Sequence, residues 1–293
     1  MEVNRLEALL QDERYVGKTI TLLDGRQLSY SESGTLEGGY PVLFHIGLMA
    51  SSFGVVLFHE EGIRLNLRII AVDYPGVGDS SPQADRQLID WPRDLQEFCN
   101  QILGEETEFA LLCHSMGGPH ALAVMTDTTL SSRISRATLV SPWLPFDDNK
   151  SWFLTAARNL PSFLQDSVIP SIATALTTST LSMAGSVAAC GDKAQLAVTQ
   201  RIVGYSQKQG QEGNRQMVRI AIGASLIIPS SVSYPVHVFC GAKDELVTEE
   251  SCQKLIALMG GGAVYTGVKN ADHNSVMGGK SLSEIFLTLR ERG

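Results

Sequence analysis

A run of lysine and arginine is missing from this chain, and with 23 basic against 31 acidic residues its formal charge is −8. That balance excludes a protein that grips nucleic acid through a basic stripe. Cysteine is scattered as well as scarce: Cys99, Cys113, Cys190, Cys240 and Cys252 are odd in number and contain no Cys-x-x-Cys pair. Neither a disulfide framework nor a zinc ribbon follows from such spacing, so free, buried thiols are expected. The stretch His59-Glu60-Glu61-Gly62-Ile63 lacks the second histidine of a zinc-protease helix, and no metal site is expected. Gly76-Val77-Gly78 lacks a third glycine, and Pro75 with Asp79-Ser80-Ser81-Pro82 reads as turn rather than helix start. A dinucleotide loop is therefore not expected, nor any other cofactor.

Long apolar runs are also absent. The N-terminal residues Met1 to Glu7 carry charges where a signal peptide needs an apolar centre, so a cytoplasmic location is expected. Ser167 to Gly191 is uncharged but contains Pro170, Gly185 and nine serines and threonines, which argues against a membrane span. No internal repeat or low-complexity linker appears. A small-molecule partner is expected, with no nucleic acid or membrane partner; the oligomeric state is left open.

What the chain does have is an apolar fraction of 44% over 293 residues, enough for a sizeable core. After an amphipathic start around Leu6, Leu9 and Leu10, Lys18–Leu23 and Arg26–Ser31 read as strands about the turn Asp24-Gly25. Buried strands are expected at Pro41–Leu48, Arg68–Asp73 and Phe109–Cys113, and further strands at Ala137–Ser141, at Pro235–Cys240 and near Ala263 to Gly267. Helices alternate with them: Ser51 to about Glu61, closed by Gly62, then Trp91–Leu103, Ala121–Met125, Glu249–Met259 and Ser281–Arg290. Apolar strands alternating with helices predict an α/β fold with a mostly parallel sheet covered on both faces. Between Phe146 and Ile228 the rhythm breaks into an interrupted helical pattern without a convincing strand. Residues 1–145 and 229–293 are thus expected to form the core, and residues 146–228 a helical cap.

The chain is organised around one serine. In Phe109-Ala110-Leu111-Leu112-Cys113-His114-Ser115-Met116-Gly117-Gly118 a buried strand ends at a sharp turn and small residues lead into a helix. A serine there sits exposed on strained backbone, with small neighbours that let strand and helix approach. The run resembles the nucleophile elbow of the α/β-hydrolase superfamily, Gly-x-Ser-x-Gly, with Ser115 as nucleophile and Cys113 in place of the first glycine. Three further segments resemble the same superfamily: His45-Ile46-Gly47-Leu48, which leads to its oxyanion hole; Asp73-Tyr74-Pro75-Gly76-Val77-Gly78-Asp79-Ser80; and the pair Cys240-Gly241-Ala242-Lys243-Asp244 and Ala271-Asp272-His273. Together they cover nearly the whole chain from Lys18. The resemblance implies an eight-stranded sheet with a helical cap inserted after the sixth strand.

A serine hydroxyl needs a base, and the base needs a group to orient it. His273, in a loop of small and polar residues after the last predicted strand, is the candidate base, pictured there as an exposed imidazole. The other histidines fit structural positions: His59 and His120 in helices, His237 in a strand, His45 and His114 at strand ends. Asp244 follows a strand and should lie at the carboxyl edge of the sheet, where ligand sites form; the order Ser115, Asp244, His273 is the superfamily's. Asp147, just after the sixth strand, is the alternative acid. The backbone N–H groups of Met116 and Leu48 are the candidate oxyanion donors. The resemblance implies a cofactor-independent serine hydrolase acting on an ester or related acyl bond of a small or medium apolar metabolite. The same triad would equally suit carbon–carbon bond hydrolysis or acyl transfer, and the fold also suits a ligand-binding or non-hydrolytic biosynthetic protein. Fold does not choose among these.

Overall fold

The computed structural model describes residues 2–144, 193–223 and 228–290, together with 160, 161, 164 and 168. Eight strands form one sheet: β1 (Lys18–Thr21), β2 (Gln27–Gly34), β3 (Tyr40–His45), β4 (Leu67–Val72), β5 (Phe109–His114), β6 (Ile134–Val140), β7 (Val236–Gly241) and β8 (Val264–Val268). Their spatial order is β1-β2-β4-β3-β5-β6-β7-β8. Strand β2 runs antiparallel to both β1 and β4, and every pairing from β4 to β8 is parallel. Strands buried on both faces have no polar side to show, which is why β5 reads as an unbroken apolar run. Its residues Phe109 to Cys113 are all fully buried.

The helices are α1 (Glu2–Leu9), α2 (His59–Leu65), α3 (Asp90–Ile102), α4 (Gly117–Thr126), α5 (Thr128–Ser131), α6 (Lys193–Ser206), α7 (Glu212–Gly223), α8 (Glu249–Leu258) and α9 (Gly279–Thr288). Two expectations are corrected here. The helix expected from Ser51 is a 3-10 helix over Ser52–Phe58 that passes into α2, and Gly62 does not close it. Asn66, left-handed at φ +52, ends α2 instead. Gly62 has another purpose: a Cβ there would lie 2.6 Å from the Gly34 Cα, so its bareness lets α2 press onto the end of β2.

Within the interval expected to lack strands, the described residues are mainly the two helices α6 and α7. Both rest on loops that leave the carboxyl ends of β3 and β4. Ser51 donates to the Ile202 carbonyl at 2.8 Å, and the Phe53 and Tyr205 rings stack with centroids 3.8 Å apart. The Tyr205 hydroxyl donates to Asp79, Gln209 donates to the Gly78 and Ser80 carbonyls, and Gln216 donates to the Gln83 carbonyl. Gly213 meets Gly76 so closely that a Cβ would come within 2.5 Å of the Gly76 carbonyl. Strands β3, β4 and β5 being parallel, these helices lie at the same edge of the sheet as Ser115. Of the stretch Ser167–Gly191 all but residue 168 lies outside the described residues, Cys190 included, and so does Asp147.

Candidate active site

The turn after β5 is built by close approach. Ser115 has φ +53, a left-handed conformation that costs a side-chain-bearing residue roughly 1 kcal/mol or more. Its N–H donates to the Val140 carbonyl at 3.2 Å, and its carbonyl accepts from Gly118 N–H at 2.9 Å and Trp143 N–H at 2.8 Å. Two donors on one carbonyl pin the Ser115–Met116 peptide from both sides. The three glycines around it are there for space. A Cβ on Gly117 would sit 2.1 Å from the His45 carbonyl oxygen, one on Gly118 2.9 Å from the Pro142 Cβ, and one on Gly47 3.2 Å from the Ser115 Cβ. Cys113, which stands where the motif it resembles has glycine, turns its side chain into the core and is fully buried, and that burial pushes its thiol up to about 12.

His273 Nε2 lies 2.8 Å from Ser115 Oγ, and His273 Nδ1 lies 2.9 Å from Asp244 Oδ2. An ionised carboxylate only accepts, so the imidazole proton sits on Nδ1 and the Nε2 lone pair faces the serine hydroxyl. Asp244 occupies a tight turn after β7 in which Oδ1 accepts from the Leu246 and Val247 N–H groups at 2.9 and 2.8 Å. Burial works to raise its pKa, but the bonds from His273 and Val247 together with the His273 charge prevail, and the net direction is down. Gly241 lets the histidine loop reach this turn, since a Cβ there would lie 2.6 Å from the Ala271 carbonyl oxygen. Lys243 N–H donates to that same carbonyl at 2.8 Å.

The structure brings Ser115, Asp244 and His273 together and differs from expectation in one respect. His273 is buried, with 8% of its surface accessible, rather than an exposed ring. Its loop is folded down by Asp272, whose carboxylate accepts from Asn274 N–H, Ser275 N–H and the Ser275 hydroxyl. The segment carrying Leu48 borders the serine through Gly47, and Met116 follows Ser115 directly. Among the described residues, no hydrogen-bond acceptor is engaged by the Met116 or Leu48 N–H.

Two histidines placed at strand ends by sequence have partners that sequence did not indicate. His45 accepts from Trp91 Nε1–H at 2.9 Å through Nε2 and is pushed down to about 3 by burial. Its ring thus serves the packing beneath the turn, and its carbonyl is the group Gly117 makes room for. His114 Nε2 lies 2.9 Å from the His273 carbonyl oxygen, with the two rings 5.1 Å apart. Neither contact has a sequence signal, because each joins residues remote in the chain.

Among the described residues, no group of three histidine, cysteine, aspartate or glutamate side chains is arranged to hold a metal ion, and no helix is long and apolar enough to cross a membrane.

A family model described as alpha/beta hydrolase fold matches residues 40–279. No curated protein matches the sequence. Among solved structures, an esterase from Rhodococcus sp. superposes with a TM-score of 0.69 at 17% identity, covering 94% of this chain and 99% of the esterase. The esterase EaEST from Exiguobacterium antarcticum gives 0.67 at 19% identity over 94% and 98% of the two chains. An enol-lactonase from Burkholderia xenovorans gives 0.65 at 17% identity over 92% and 97%. At these identities the likeness is one of fold.

Proposed function

Since the chain belongs to the α/β hydrolase fold family, we propose that it is a serine hydrolase cleaving an ester or related acyl bond of a small or medium apolar metabolite through an acyl-enzyme. One observation carries the reading: the continuous line from Ser115 Oγ through His273 Nε2 and Nδ1 to Asp244 Oδ2, with contacts of 2.8 and 2.9 Å. In this mechanism Ser115 Oγ attacks the acyl carbon while its proton passes to His273 Nε2. Asp244 keeps the ring in the required tautomer and offsets the charge of the imidazolium.

The Met116 and Leu48 N–H groups receive the oxyanion. A donor of this kind contributes on the order of 10²–10³ in turnover. His273 then gives its proton to the leaving group, water enters, and the same histidine activates it to release the acid. Residues 146–228 form the cap in this reading, which the seating of α6 and α7 at the serine's edge of the sheet supports. The structural neighbours named above, two esterases and an enol-lactonase, agree with carboxylic ester chemistry, a lactone being a cyclic ester.

Incubation with a fluorophosphonate, followed by peptide mass mapping, tests the assignment. The expected adduct is on Ser115 and is lost in Ser115→Ala; an adduct on another residue, at undiminished esterase turnover, would remove the serine from the mechanism.

A further inference from the structure

His114 precedes the serine and faces the histidine loop. Its Nε2 is 2.9 Å from the His273 carbonyl oxygen, across 159 residues of chain. A carbonyl only accepts, so His114 Nε2 carries the proton and donates it. Its pKa is pushed down to about 4, chiefly by burial and further by the neighbouring His273 charge, so near neutral pH the ring carries that proton alone and is uncharged. A neutral ring lying 5.1 Å from His273 and tilted by 36° adds no charge against the imidazolium that forms there.

The other restraints on the loop come from elsewhere. Asp272 holds it from within, through Asn274 and Ser275. The β7 side holds it through Lys243 and the space left at Gly241. Among the described residues, His114 ties it to β5, the strand whose next residue is Ser115. One residue of strand thus controls both sides of the 2.8 Å contact between Ser115 Oγ and His273 Nε2.

We propose that His114 is a positioning residue that sets the Ser115–His273 proton-transfer distance by donating its Nε2–H to the His273 carbonyl. The inference rests on the serine-hydrolase reading above. A displacement of about 1 Å in such a contact costs on the order of 10²-fold in rate, so loss of the tether should show in turnover rather than in substrate binding.

The test compares His114→Gln, whose amide keeps a donor near the Nε2 position, with His114→Leu, which has none. Thermal melts of both variants establish equal folding, and p-nitrophenyl acetate is the substrate. His114→Leu is expected to lose about 10- to 100-fold in kcat at unchanged KM, while His114→Gln stays close to the wild-type value. Wild-type kcat in His114→Leu, or equal losses in both variants, would overturn the proposal. Ser115→Ala, measured alongside, separates the two levels. If it loses turnover while His114→Leu keeps it, the tether alone is refuted; if it keeps full turnover, the serine mechanism fails and the tether with it.

Discussion

Asp244 owes its place to three short bonds that leave its carboxylate little freedom: two backbone donors hold Oδ1 and His273 Nδ1 holds Oδ2. A neutral amide at this position keeps the shape but favours the wrong imidazole tautomer. On this basis Asp244→Asn should lower kcat by on the order of 10⁴ at unchanged melting temperature. Asp147→Asn should keep most of the activity. Steady-state kinetics on one accepted ester checks both, and the reverse ranking would move the acid to the segment after β6. Several residue-scale features were readable in advance. Ser115 and Gly117 stand where strand, turn and helix meet, and Asp244 and His273 follow strands whose apolar runs are plain. The His114–His273 and Trp91–His45 contacts were not readable. A single sequence displays what lies within a few residues, whereas these pairs are made by the sheet's strand order.

At the scale of elements, Asp73 marks where β2, β4 and the 3-10 helix over Ser52–Phe58 converge. Its carboxyl accepts from Ser52 N–H at 2.6 Å, the Ser52 hydroxyl at 2.7 Å and the Ser29 hydroxyl at 2.8 Å. Burial raises its pKa more than these bonds lower it, and the result is about 7. The usual carboxyl value in an unfolded chain is about 4. Between those values the folded protein keeps a proton that the unfolded chain releases. The group's stabilising contribution is therefore complete below about pH 4 and is lost as pH rises through about 7. Asp73→Asn cannot ionise, so its melting temperature should fall less than that of the wild type between pH 5 and pH 8, as measured by calorimetry. Parallel curves would show that Asp73 stays ionised throughout. Element boundaries were legible where burial made them so. Strand β6 begins at Ile134, three residues before its apolar run, because Ser135 and Arg136 sit at a partly exposed entry. Gly62 was legible as a glycine but not as a packing contact, since its partner Gly34 lies on another element.

Across the whole molecule, the parallel arrangement from β4 to β8 delivers every loop after those strands to one edge. Ser115 comes from the middle of the sheet, Asp244 from the loop after β7 and His273 from the loop after β8, so chain order and spatial order agree. This is why the alternation of apolar strands and helices was sufficient to place the candidate residues at a common edge before any distance was known. The described helices α6 and α7 fall within the helical pattern read after β6, while their docking depends on side chains such as Ser51, Tyr205 and Gln216 meeting backbone carbonyls and carboxylates far away in sequence.

The serine-hydrolase reading stands on an ester formed at Ser115 during hydrolysis. Rapid-quench intact-mass measurement during turnover of a p-nitrophenyl ester tests it most directly. The expected result is a transient mass gain equal to the acyl group, mapped to the peptide carrying Ser115 and lost as water completes the cycle. Ser115→Ala should show no such gain and should lose turnover. Turnover of the ester by Ser115→Ala at the wild-type rate would rule out the acyl-enzyme on this serine.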